Sequence, residues 1–175
     1  MNPRQSVLRK VLKDQKRKYS SLFCIETGCI RFLRDADGHS TKVFGEEMRE
    51  KDVLHSFEID QENIKTAKKI CKDFHGITFH LGDSLKMLPK VLQEVKPPQI
   101  HVAYLDSVNN ADHIFNEFEI VEPYLKSGSI LVVDDITCES CKKGKKILSY
   151  LKAKEEWSVE IIEVANGMMI GRKNE

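Results

Sequence analysis

The sequence predicts an α/β fold with five parallel strands, a C-terminal β-hairpin and helices on both faces of the sheet. Three observations carry this reading. Short apolar runs alternate with amphipathic stretches five times along the chain, the signature of parallel strands joined by right-handed crossovers. Glycine and proline mark several boundaries, as in Glu26-Thr27-Gly28 and Pro97-Pro98, where each ends a regular element. Finally, Asn166-Gly167 separates two apolar runs, a strong hairpin signal.

The elements follow in order. Residues 6–19 set Val7, Leu8, Val11 and Leu12 among Lys and Arg, the spacing of an amphipathic helix. Leu22 to Ile25 is a short buried strand closing on Gly28. Val53 to Ile59 is the second strand, followed by a helix from Gln61 to Phe74. Ile77 to Leu81 is the third, with a helix from Ser84 to Val95 halted by the proline pair. Ile100 to Leu105 and Gly128 to Val133 complete the parallel set, with helices over 112–125 and 142–152. Val159 to Val164 and Met168 to Gly171 form the hairpin, and Trp157, Met168 and Met169 belong to its packing.

Composition narrows the classes. The 175 residues suit one domain, and 41% hydrophobic with 31% charged residues suits a globular chain. Twenty-eight basic residues oppose 27 acidic ones, so net charge argues against nucleic acid as the main partner. Basic clusters at Lys10 to Lys18 and at Lys142, Lys143, Lys145 and Lys146 read as solvated helix faces. The N-terminus has no apolar leader and no run is long enough to span a bilayer, so no membrane association is expected and the cytoplasm is the expected address. Five cysteines at irregular spacing read as thiols, including Cys138-x-x-Cys141, which lacks a second ligand pair for zinc.

In open parallel sheets ligands bind beyond the carboxyl ends of the strands, so chemistry is sought there. The first strand ends in Glu26-Thr27-Gly28, followed later by Gly38-His39-Ser40-Thr41; glycine admits a close ligand, and helix-start amides favour polar or anionic groups. Glu58 follows Gly38 by 20 positions, the distance at which an acid meets ribose hydroxyls in nucleotide-binding units. Gly82-Asp83-Ser84 offers an acceptor for an adenine amine, or only a helix cap. Asp106, Asp134 and Asp135 end the fourth and fifth strands, and three convergent carboxylates suit Mg2+ as well as a solvated loop. His39 and His113 lie in loops near the cleft and read as surface residues.

In this order, Ile25-Glu26-Thr27-Gly28, Gly38-x-Ser40-Thr41, Phe57-Glu58-Ile59-Asp60, Gly82-Asp83-Ser84, Leu105-Asp106 and Gly128-x-Ile130-x-Val132-Val133-Asp134-Asp135 resemble the class I S-adenosylmethionine-dependent O-methyltransferases, closest to the macrocin O-methyltransferase-like group. The resemblance spans residues 22–136. It implies a Rossmann-like methyltransferase sheet, with an N-terminal helix in 1–21, a cofactor-binding core in 22–136 and a final helix and hairpin in 137–175. It implies S-adenosylmethionine as cofactor, held by Glu26, Thr27, Gly28, Ser40, Thr41, Glu58, Asp83, Ser84 and Asp106. It further implies Mg2+ on Asp106, Asp134 and Asp135, a small-molecule hydroxyl as acceptor, and Asp106, Asp112 and His113 as catalytic candidates.

Two departures stand out. Gly28 and Gly38 are ten residues apart, where the family's spacing is shorter. Val108 occupies the position where relatives carry an acidic base. The acceptor pocket is expected from the first helix and loops 29–39, 107–113 and 136–141, with a second copy in a homodimer as a candidate to complete it. Two other classes compete. A non-catalytic cofactor-binding module accords with Val108. A phosphoribosyltransferase accords with Leu131 to Thr137, an apolar strand followed by two acids and a hydroxyl, although Glu139 then falls where that motif needs bare amides.

Overall fold

The structure is a computed structural model that describes residues 2–33, 39–137 and 142–174. Its sheet contains β1 (Phe23–Thr27), β2 (Val53–Glu58), β3 (Ile77–Leu81), β4 (Val102–Leu105), β5 (Ile130–Asp134), β6 (Trp157–Ile162) and β7 (Met168–Lys173). They lie in the order β3-β2-β1-β4-β5-β7-β6. The first five run parallel, and β7 is antiparallel to both β5 and β6. Five parallel strands and a terminal hairpin are what the alternation predicted.

Helices α1 (Pro3–Lys18), α2 (Ser40–Glu47), α3 (Gln61–Ile70), α4 (Ser84–Val95), α5 (Ala111–Val121) and α6 (Gly144–Lys152) flank the sheet. Successive strand residues point to opposite faces, so each central strand feeds two cores. Ala103, Leu105, Leu131 and Val133 meet Leu88, Leu92, Ile114, Phe118 and Ile147 from α4, α5 and α6. Val102, Tyr104, Ile130 and Val132 meet Leu8, Leu12, Val43 and Phe44 from α1 and α2. Both faces of β4 and β5 are buried, which explains their unbroken apolar sequences. Truncating Phe44 or Phe118 to Ala would cost about 3–5 kcal/mol.

Most differences from the sequence reading are boundaries. The helix expected over 112–125 ends at Val121, and a 3-10 turn takes over at Glu122–Tyr124, where Pro123 supplies no N–H. The hairpin begins earlier, at Trp157. The short helix α2 had no delimited counterpart, because its buried face is only Thr41, Val43 and Phe44.

The first helix starts on Asn2, whose side chain accepts from the Arg4 amide at 3.0 Å, with Pro3 at its first turn. Its basic face is partly taken up by α2. Arg9 pairs with Glu46 and Glu47, and Lys16 donates to the Glu47 carboxylate at 2.8 Å. Among the described residues no helix is long and apolar enough to cross a membrane.

Candidate functional site

The strand order reverses between β1 and β4, so the loops leaving these strands diverge and open a crevice. Gly28 makes the opening narrow. Its φ is +78°, and a Cβ there would stand 2.5 Å from the Asp106 carbonyl oxygen, so only glycine lets the two loops come this close. The resulting cleft holds about 270 Å³ and is lined by Gly28, Phe57, Glu58, Gly82, Ser107 and His113, among others. A tighter extension runs past Cys29, Arg31, Ser40 and Asp106 and shares Gly28, Glu58 and Ser107 with the larger part. The buried Ser107 hydroxyl finds no hydrogen-bond partner among the described residues, and it belongs to both parts of the cleft. A buried hydroxyl without a partner is costly, so this one marks a place where a polar ligand atom would fit.

The residues expected to hold the cofactor divide into those facing the cleft and those behind it. Glu58 faces it, anchored by the Asp60 amide at 2.9 Å and the Cys29 amide at 3.3 Å. Ser40 borders the narrow end and donates to Glu26 at 2.6 Å. Glu26 itself is fully buried and also accepts from Thr41 at 2.8 Å and Ser56 at 2.6 Å. Burial pushes its carboxyl up to about 7, against the pull of those hydroxyls. Glu26 therefore fixes the start of α2 to β1 and β2 from below. Gly38, which precedes this turn in the sequence motif, lies outside the described residues.

At the other end, Asp83 lines the cleft and caps α4, accepting from the Leu85 amide at 3.0 Å. Ser84 is buried, and its hydroxyl donates to Glu117. Ser84 also lines the cleft beside Asp83, so it stands at the wall between the cleft and the interior. Thr27 is likewise internal, donating to Glu117 at 2.9 Å. His113 sits on α5, not in a loop, with Nε2 3.1 Å from the Ser84 hydroxyl and 3.3 Å from Glu117. The hydrogen bond to Glu117 holds its pKa above the ordinary value. His39 is also no surface residue; it is buried at the start of α2 and its Nε2 lies 2.9 Å from the Phe32 carbonyl oxygen. Asp112 is exposed, pairs with Lys146 at 3.1 Å and does not line either part of the cleft.

The three aspartates do come to one end of the sheet, but each already has a cation or hydroxyl. Lys143, 1% exposed, donates to Asp106. Tyr104 donates to Asp134 at 2.9 Å, and Arg4 lies 3.3 Å from the same carboxylate oxygen. Arg4 also donates to Asp135 at 2.5 Å, and Asn166 to that oxygen at 3.1 Å. Burial pushes Asp134 up to about 6, with Asp106 adding to the rise and Arg4 opposing it. Among the described residues no three of His, Cys, Asp and Glu are grouped to hold a metal ion. The expected Mg2+ site on Asp106, Asp134 and Asp135 does not fit this arrangement. Arginine and lysine, which are not metal ligands here, occupy the carboxylates that a hard cation would need.

Sequence reasoning missed Arg4, Tyr104, Glu117, Ser107 and Lys143. Lys143 was the hardest to see, because it sits in a run of lysines and alone turns inward. The signal was Gly144: a Cβ there would stand 2.6 Å from the Ile136 side chain, so glycine lets the backbone press against the end of β5. Cys138, Glu139 and Cys141 lie outside the described residues, so the thiol pair and the continuation of the phosphoribosyl-type motif do too. Within that motif Asp135 has φ +58° and is engaged by Arg4 and Asn166.

Comparison with known proteins agrees with this geometry. The family described as "Methyltransferase domain" matches residues 36–136. Among curated proteins none matches the sequence. An O-methyltransferase from Bacillus cereus, in complex with SAH, aligns with 99% of this chain and 82% of its own at 12% identity and a TM-score of 0.78. The O-methyltransferase TomG from Streptomyces achromogenes, in complex with SAM, aligns with 99% of this chain and 80% of its own at 15% identity and a TM-score of 0.74. A methyltransferase from Geobacter sulfurreducens aligns with 97% and 78% at 14% identity and a TM-score of 0.73. At these identities the likeness is one of fold.

Proposed function

The chain belongs to the methyltransferase domain family, and from that premise we propose that it moves a methyl group from S-adenosylmethionine to a hydroxyl oxygen of a small molecule in the cytoplasm. The observation that carries this is the cleft itself. It lies at the β1–β4 switch point and is lined by Glu58 and by Ser107, whose hydroxyl has no partner among the described residues. S-adenosylmethionine supplies an activated methyl on a sulfonium. The protein's part is then alignment and binding. Glu58 accepts from the ribose hydroxyls, Asp83 and Gly82 border the adenine, and Gly28, Ser40 and Ser107 line the methionine end. The residue series from Glu26 to Asp135 favours the macrocin O-methyltransferase-like group within the family.

The acceptor side is bordered by Val108, 42% exposed, and by the segment carrying Phe32 and Leu33, 55% and 63% exposed. Apolar side chains left open beside the cleft suit an acceptor with an apolar body, or a second copy of the chain covering it. Light scattering separates the dimer from the monomer.

Titration calorimetry with S-adenosylhomocysteine tests the assignment. Binding is expected, and Glu58→Ala should weaken it about tenfold or more, since two hydroxyls lose a charged acceptor. Absence of binding, or binding indifferent to the substitution, would refute the cofactor reading. Binding without turnover on any hydroxylated acceptor would favour a non-catalytic module, the reading to which Val108 lends support.

A further inference from the structure

We propose that the guanidinium of Arg4 and the ammonium of Lys143 replace a divalent cation beside Asp106, Asp134 and Asp135, so that this methyltransferase site carries its positive charge in its own chain and takes up no Mg2+. The inference rests on the methyltransferase reading only for the expectation of a metal there. Its own ground is the donor set.

Each of the three carboxylates is already engaged through at least one oxygen. On Asp134, one oxygen receives the Tyr104 hydroxyl and the Arg4 guanidinium, and the other accepts from the Asp135 amide at 2.9 Å. Arg4 and Asn166 converge on one oxygen of Asp135. Lys143 holds Asp106. One guanidinium and one ammonium supply together the two positive charges of a divalent ion. A metal added to this set would compete with both for the carboxylates and would be repelled by each.

Both cations are held in place by the fold. Arg4 stands one turn before Leu8 on the buried stripe Leu8, Leu12 and Gln15 of α1, and its amide is fixed by Asn2. Lys143 directly precedes α6, where Gly144 allows close contact with Ile136. A lysine this buried is retained only with its counter-charge, because leaving either partner alone is strongly unfavourable. The result is a pre-formed electrostatic environment that needs no ion to complete it.

Mn2+, which takes the same oxygen ligands and is paramagnetic, is a suitable probe. Mn2+ is titrated into the full chain by electron paramagnetic resonance, for the wild type, Lys143→Arg, Lys143→Met and the Arg4→Met/Lys143→Met double variant. Circular dichroism checks the fold, and S-adenosylhomocysteine calorimetry runs in parallel. The wild type and Lys143→Arg should leave Mn2+ free up to about 1 mM, the weak end of carboxylate sites. The double variant should gain affinity by roughly tenfold or more, the scale on which neighbouring groups govern metal affinity. Wild-type binding well below 1 mM overturns the proposal, as does a folded double variant that binds no better than wild type. If the double variant does not fold, Lys143→Met against Lys143→Arg decides by the same comparison. If neither Met variant folds, the wild-type titration decides alone. Loss of S-adenosylhomocysteine binding in the wild type would strike the cofactor reading and leave the Mn2+ result standing by itself.

Discussion

Thr27 and Glu117 meet through a 2.9 Å hydrogen bond across 90 residues of sequence. Thr27 ends β1 and Glu117 lies in the middle of α5, fully buried. Glu117 also receives Ser84 from the first turn of α4 and lies against His113. Three elements are thus pinned together beneath the cleft by one carboxylate, and the Asp106 amide, 3.3 Å from the Thr27 hydroxyl, extends the cluster to β4.

Glu117→Gln keeps the shape of this cluster and removes its charge. His113, raised chiefly by its hydrogen bond to Glu117, should then titrate at lower pH, as read from its ring protons by nuclear magnetic resonance. The linkage sign follows from a raised folded-state value. The His113–Glu117 contribution is fully present below the unfolded value of 6.5 and fades as pH rises through the folded one. The stability difference between wild type and variant should therefore shrink on the alkaline side. An unmoved His113 titration would rule out the pairing.

Glu26 has the same linkage sign, from burial rather than from a partner. Its carboxyl is raised from 4.5 to about 7 by burial, so the folded state binds a proton that the unfolded chain releases earlier. Stability should fall as pH climbs from 4.5 toward 7. Glu26→Gln should flatten that slope and leave the variant more stable at pH 8 by roughly 1–3 kcal/mol. Urea denaturation across this pH range is the measurement, and a wild type whose stability rises over it would show the reading to be wrong.

Gly28→Ala should be destabilising by about 1–3 kcal/mol, because alanine resists the left-handed conformation and its methyl would meet the Asp106 carbonyl at 2.5 Å. The cleft should widen, and S-adenosylhomocysteine should bind less tightly. A variant with wild-type urea midpoint and affinity would mean that the two loops do not need their close approach.

The fold was legible because strand and helix periods differ, and because both faces of β4 and β5 are buried, which writes them as unbroken apolar runs. The short helix α2 was not, since an eight-residue segment with two large apolar side chains has too little period to register. The acidic strand ends, Glu58 and Asp106, announced the site for a general reason: carboxylates after buried strands are rarely needed for packing. Their partners did not announce themselves. Arg4 lies 131 residues from Asp135 and Lys143 lies 37 from Asp106. A charge's partner across such distances is set by topology, and local sequence carries no trace of it. Lys143 in particular shares its neighbourhood with Lys142, Lys145 and Lys146, and only the fold turns one of the four inward.

The position of β7 between β5 and β6 has a consequence for how the chain is made. Synthesis runs from β5 through β6 before β7 exists, yet β6 joins the sheet only through β7. Until Met168–Lys173 emerge, β5 presents an open edge of five fully buried residues, and the Trp157 strand has nothing to pair with. An open apolar edge is a template for misassociation. The same dependence holds in the finished chain: a substitution that unpairs Met168–Lys173 from β5 frees β6 as well, so it should raise aggregation on expression by more than its loss of stability alone would.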